Sequence, residues 1–150
     1  MSSIKQKDPI NFYDTVKVTV KSTDTDEILS ENIVENTITT AGKNLLRDAL
    51  IVPGPRQTLN YLAVGTGSPT ANGLGIEVHR DMLDIPIISD ATFTLTFYIS
   101  STECNGLILT EAALYTEAVG GVCFATTTYD HIDKSVSVTV IYEWTITIGV

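Results

Sequence analysis

The chain has 150 residues, 43% hydrophobic and 18% charged, with a formal net charge of -9. That length and apolar content suit one domain with a real core and exclude a largely disordered chain. The acidic balance repels phosphate, which argues against sequence-independent nucleic-acid binding.

The densest basic pairing, Lys43 with Arg47, falls on one predicted helix and reads as a solvated face. Met1 to Lys7 leads into polar residues with no apolar segment behind it, so no secretory leader is expected. No apolar run approaches the roughly 20 residues that span a bilayer, and no membrane partner is expected. The two cysteines, Cys104 and Cys123, do not make a disulfide framework. Free thiols in a reducing cytoplasm are the expected state, with a single bridge between them left open.

Residues 1–14 read as an N-terminal arm. They are polar, carry Pro9, and offer Ile10 and Phe12 as anchors on a partner. Residues 15–150 read as a single β-domain. Val16, Val18 and Val20 alternate with Thr15, Lys17, Thr19 and Lys21, the period of a half-buried strand. Residues 22–27 are a turn by composition. Their carboxylates lack the glycine and the downstream Glu of a calcium loop, so a solvated hairpin tip is expected. A second strand follows over 28–34. Residues 39–50 give the one predicted helix, with Thr at its start as a cap and Ala41, Leu45, Leu46, Ala49 and Leu50 as an apolar stripe. Pro53-Gly54-Pro55 stops it. Such a helix is expected to plug one end or face of a β-structure.

Residues 59–64 read as a strand that ends at Gly65-Thr66-Gly67. Gly65, Gly67, Gly73 and Gly75 are not followed by Lys-Ser/Thr, so no phosphate-cradling Walker loop is present. A dinucleotide fingerprint would need a helix opening at the glycines, whereas residues 68–73 read as loop. A long structural turn leading to Leu74, Glu77 and Arg80 is expected. Phe93, Leu95, Phe97 and Ile99 alternate with Thr92, Thr94, Thr96 and Tyr98. Val136 to Ile148 alternates in the same way. Strands over 107–115 and 122–128 flank the hairpin signal Gly120-Gly121. About seven short strands and one helix indicate a mainly β fold, an antiparallel β-sandwich or flattened barrel with one short α-helix. Period-two faces argue against a parallel sheet buried on both sides.

No constellation for catalysis emerges. His79 and His131 have carboxylate neighbours, but no Gly-x-Ser-x-Gly elbow accompanies them, and nothing in the spacing pairs either with Cys104 or Cys123. Surface or turn histidines are expected. Glu77 and His79 share one side of a strand, which supplies at most two metal ligands, and no Cys-x-x-Cys or His-Glu-x-x-His spacing exists. No metal, cofactor or catalytic residue is therefore expected. Glu103 and Glu111 could in principle do acid–base work. The expected role of Glu77, Arg80, Glu103 and Glu111 is instead a charged network that fixes a loop or a subunit contact, since a carboxylate and an Arg fork make paired hydrogen bonds.

An ordered series runs along the second half: Tyr61-Leu62-Ala63-Val64-Gly65-Thr66-Gly67, Glu77-Val78-His79-Arg80, Glu103-Cys104-Asn105-Gly106, Glu111-Ala112-Ala113-Leu114-Tyr115, and Trp144-Thr145-Ile146-Thr147-Ile148. In order and spacing it resembles small structural domains of tailed bacteriophages, above all the N-terminal, baseplate-attaching domain of tail-collar fibre proteins, with its AVGxG, LxxEVxR and E…G…ExGLF segments. Asn36 through Gly42, followed by Leu45 and Leu46, resembles a further segment of small phage structural proteins. The chain departs from the pattern at Ala113, where the family has Gly, and in continuing into no fibre shaft after Val150.

The resemblance implies a virion structural protein, not an enzyme: a tail, baseplate or collar component that attaches or forms an appendage. It would be assembled in the host cytoplasm as a homo-oligomer in contact with other virion proteins. The acids of the family pattern look structural, in keeping with the network above. Two alternatives stand beside this reading. One is a capsid decoration protein, cement or head-fibre, with residues 1–14 clamping a neighbour's sheet edge. The other is a carbohydrate-binding β-sandwich, for which Tyr13, Tyr98 and Tyr129 are the candidate exposed aromatics.

Overall fold

In the computed structural model, which describes residues 11–149, the alternating stretches pair into two five-stranded sheets packed face to face. The first sheet runs in the order β2 (Ile28–Val34), β1 (Asn11–Ser22), β10 (Val138–Gly149), β7 (Thr92–Ile99), β6 (Ile87–Ser89). The second runs β3 (Thr37–Ile38), β9 (Cys123–Asp133), β8 (Ile108–Tyr115), β4 (Tyr61–Gly65), β5 (Glu77–Met82). Every neighbouring pair is antiparallel. The fold is thus an antiparallel β-sandwich with one helix, α1 (Thr40–Ile51).

Side-chain alternation explains the core. Val16, Val18 and Val20 of β1, Leu95, Phe97 and Ile99 of β7, and Val140, Tyr142, Trp144 and Ile146 of β10 are all buried on the inner face of the first sheet. They meet Leu62 and Val64 of β4, Leu109, Ala112 and Leu114 of β8, and Ala125 and Ile132 of β9. The Thr residues between these positions face outward and pair across strands, as Thr92 does with Thr147 and Thr94 with Thr145. Tyr142 is fully buried, and its hydroxyl lies 2.6 Å from that of Tyr129. The Tyr129 hydroxyl also reaches the Glu111 carbonyl, so the buried phenols are hydrogen-bonded.

Several sequence expectations move. Residues 11–14 are not part of an arm: Asn11 to Asp14 continue β1 and pair with Gly149 to Ile146 of β10. The reason is that β10 extends far enough to offer ladder partners to the whole segment. Phe12 accordingly packs against this chain's own core. Ile10 and the rest of residues 1–10 lie outside the described residues. The strand expected over 122–128 runs on to Asp133, which places Tyr129 inside the core and His131 on an exposed strand position. The short strands β3 and β6 carry too few residues to show a period.

The helix forms where its cap and stop signals place it, but its buried stripe differs. Thr39 caps the first turn by accepting from Gly42 N. Gly42 is the buried contact, with Leu45 and Leu46 partly buried, while Ala41, Ala49 and Leu50 are exposed. A Cβ at Gly42 would stand 2.2 Å from the Phe124 carbonyl oxygen, so the helix backbone itself rests on β9. Close backbone approach at the first turn leaves the later turns hanging off the sheet. No helix among the described residues is long and apolar enough to cross a membrane.

Candidate functional site

Glu111 stands on the outer face of β8, yet its side chain has no solvent exposure. The segment that follows β4 folds over it. Glu111 Oε2 accepts from Gly67 N at 2.8 Å and Ile76 N at 2.9 Å, and Oε1 accepts from Gly75 N at 2.7 Å. Both carboxylate oxygens are therefore acceptors, an arrangement that an amide side chain cannot reproduce. Thr110 ties the same loop from the other side, donating from its hydroxyl to Gly67 O at 2.6 Å. The hydroxyl of Tyr115, two pleats along β8, accepts from Leu74 N.

The glycines are what let the loop close. A Cβ at Gly65 would lie 2.5 Å from Glu111 Oε2, and one at Gly75 would lie 2.2 Å from Ser68 O. Gly73 has a φ of +150° and would drive a Cβ to 2.5 Å from the Tyr115 hydroxyl. The Gly-rich segment is thus an anion-binding turn of backbone N–H groups whose anion is Glu111 of the same chain. That internal carboxylate fills the position a phosphate would need.

Arg80 does a parallel job on the same outer face. Its fork grips Glu77, with Nε to Oε2 at 3.1 Å and Nη2 to Oε1 at 2.6 Å. Nη1 donates to the carbonyls of Glu117 and Gly120, at 2.9 and 2.8 Å, across the β8–β9 hairpin. The guanidinium lies 3.6 Å above the Tyr115 ring. Edge strand β5 and the hairpin tip are therefore held together by one planar cation, a geometry that Lys cannot offer. The turn itself uses Gly120 and Gly121, at φ +67° and +74°, as its Gly-Gly signal predicts.

A third fixing point lies beside α1. With its amide set so that both groups are satisfied, Asn36 accepts from Trp144 Nε1 at 2.9 Å and donates to Asp14 Oδ2 at 2.8 Å. Burial raises the Asp14 carboxyl above its ordinary value, against the lowering effect of that hydrogen bond. Asn36, the Thr39 cap and Gly42 thus all hold the α1 segment to the sandwich.

Glu103 sits apart from these contacts. It occupies the turn after β7, where its Oε1 accepts from Ser100 N at 2.9 Å and its Oε2 lies 3.1 Å from His79 Nε2. His79 is part-buried with its ring against Phe97, not a free surface group. The same turn is held by Lys134, a buried side chain that donates from Nζ to Asn105 Oδ1 and Ser135 O. Desolvation lowers the pKa of Lys134, with Cys104 and Glu103 opposing.

The four predicted network residues therefore belong to three separate contacts: Glu77 with Arg80, Glu111 with the loop, and Glu103 with His79. The parts of Asn36, Lys134 and Tyr115 went unread, because each depends on a partner distant in sequence. Cys104 and Cys123 are both free. Burial pushes the Cys123 thiol up to about 11 and raises Cys104 as well, so neither is poised as a nucleophile. Tyr129 is buried, which removes it as a sugar platform, while Tyr13 and Tyr98 are about half exposed. No protein-family model, curated protein or solved structure matches the chain.

Proposed function

We propose that this chain is a structural protein of a tailed-bacteriophage virion, a non-enzymatic tail, baseplate or collar component that attaches or forms an appendage. Two lines support the reading. Five residues of the resemblance to collar-fibre domains have architectural work in this fold: Glu111, Gly65 and Gly67 close a loop, and Glu77 and Arg80 hold a hairpin. Loops positioned by a rigid scaffold are where binding residues concentrate, and this sandwich supplies such a scaffold.

The observation that carries the reading furthest is an exposed aliphatic surface around β6. Ile85, Ile87 and Ile88 are 90%, 67% and 76% exposed, on a chain whose net charge is -9. Ile87 and Ile88 point to opposite faces of the strand and both lie open, so β6 is an uncovered sheet edge as well as an apolar patch. Ile88, Phe93 and Ile148 continue the patch into a groove of about 490 Å³. Uncovered edges and contiguous apolar surface mark sites of protein contact.

Cryo-electron microscopy of the virion tests the proposal. Density for this chain at the tail or baseplate, with β6 against a neighbouring protein, is the expected result. Density over capsomer axes would favour decoration of the head instead. A chain missing from purified virions would sink the virion reading.

A further inference from the structure

His79 and Asp81 are two residues apart on β5, so their side chains leave the same face of an edge strand. The turn after β7 brings Glu103 to that face. One donor atom from each of the three residues lies within 4.8 Å of the other two. We propose that His79, Asp81 and Glu103 form a binding site for a divalent cation of the zinc class, which ties edge strand β5 of one sheet to the β7–β8 turn that leads from the other.

The donor geometry carries the argument. His79 Nε2 is shut off from solvent and makes no hydrogen bond, although Glu103 Oε2 stands 3.1 Å away. Two atoms bound to one zinc ion at about 2.0–2.1 Å sit roughly 3 Å apart, so this separation suits a shared ion. Each carboxylate also has one oxygen already fixed by a backbone N–H. Ser100 N donates to Glu103 Oε1 at 2.9 Å, and Met82 N donates to Asp81 Oδ1 at 2.8 Å. The second oxygen of each is left outside those bonds. The Phe97 ring, 6.0 Å from the imidazole, limits how His79 can turn.

Charge points the same way. Among the described residues, neither Asp81 nor Glu103 forms an ion pair with Lys or Arg. The nearest ammonium in the turn, Lys134, donates to Asn105 and Ser135 instead. One imidazole with two carboxylates favours a borderline cation such as Zn²⁺ over Ca²⁺ or Mg²⁺, which take all-oxygen shells. Three protein ligands leave the fourth tetrahedral position to water.

Calorimetric titration of ZnCl₂ into the full chain, stripped with EDTA beforehand, tests the site. The expected result is about one ion per chain with a Kd on the order of micromolar, weakened about tenfold or more in His79→Gln, Asp81→Asn and Glu103→Gln. Cys104→Ser should bind as the parent does, and Ca²⁺ should not compete. Circular dichroism checks that each variant folds. Should the His79 variant not fold, anomalous scattering at the zinc edge from zinc-soaked parent crystals decides, with a peak among the three side chains expected. Binding no tighter than millimolar, undiminished binding by folded His79→Gln, loss of binding in Cys104→Ser, or a peak elsewhere would each overturn the proposal.

Discussion

Replacing Glu111 with Gln keeps the shape of the side chain and removes one acceptor. Gln has a single carbonyl oxygen. Set at the Oε2 position, it keeps the N–H groups of Gly67 and Ile76 and turns an NH₂ toward Gly75 N, which then has no acceptor. A buried donor left in this way costs about 1–3 kcal/mol. The two surviving bonds change from charge-assisted to neutral and weaken by about 1 kcal/mol each. Relief from burying a charge offsets part of that sum. We expect Glu111→Gln to lose about 3 kcal/mol of stability. At roughly 2–4 °C per kcal/mol for a chain of this size, the melting temperature should fall by about 6–12 °C. Urea denaturation measures the loss. Hydrogen exchange assigns it, because the amides of Gly67, Gly75 and Ile76 should lose protection ahead of the β1–β10 ladder. A loss under about 0.5 kcal/mol, with those three amides protected as before, would refute the reasoning.

Gly42→Ala should reverse the usual sign of such a change. Ala normally stabilises a helix by about 1 kcal/mol over Gly, but here the added Cβ meets the Phe124 carbonyl. We expect a loss of about 2 kcal/mol in urea, and a stabilised variant would show that α1 does not rest on β9 at this point. Arg80→Ala should cost about 2 kcal/mol, and Arg80→Lys should recover less than half of it, because the fork and the stack on Tyr115 both go. Equal stabilities of Arg80→Lys and the parent would count against the clamp. Stability should decline in alkali. The Cys123 thiol is held up to about 11 in the fold against 9.0 outside it, so between those values the native state keeps a proton that the unfolded chain releases. Burial also raises Tyr129 and Tyr142, which extends the decline in the same direction. Urea midpoints at pH 7, 9 and 10.5 check this, and a midpoint that rises with pH would contradict it.

The sandwich was legible in the sequence because its inner faces are written in period two. The core positions of β7 and β10 follow directly from the alternation of Phe93 to Ile99 and of Val138 to Ile146. Where a partner and not a period decides, the reading stopped short. Residues 11–14 belong to β1 because β10 offers them ladder partners from Gly149 to Ile146, and no local signal in those residues reports that. The helix stripe was misplaced because Gly42, which has no side chain to count as apolar, is the residue nearest the sheet.

The candidate site divides in the same way. The acids and Arg80 stood out by type, and their loop-fixing chemistry was foreseeable. Which acid meets which loop was not, since the Glu111–Gly67 and His79–Glu103 contacts join residues far apart in the chain. The glycines between 65 and 75 read as a long structural turn with no phosphate to hold, and the fold makes them one. Only the fold reveals that the turn closes on the Glu111 side chain.

The pairing of Asn11 with Gly149 has a mechanical consequence. Both ends of the described chain leave the sandwich side by side, from neighbouring antiparallel strands. A load applied between those two ends would unzip β1 from β10, breaking ladder bonds a pair at a time, since antiparallel bonds lie across the strands. A load entering at one end and leaving through β6 would have to pass through the short ladder of Ile87 to Ser89 on Thr94 to Thr92, which lies at the same end of the sheet as Thr145 to Thr147 of β10. Pulled in this second way, β6 should peel away first and leave the β1–β10 ladder intact, so the two loads detach different edges of one sheet.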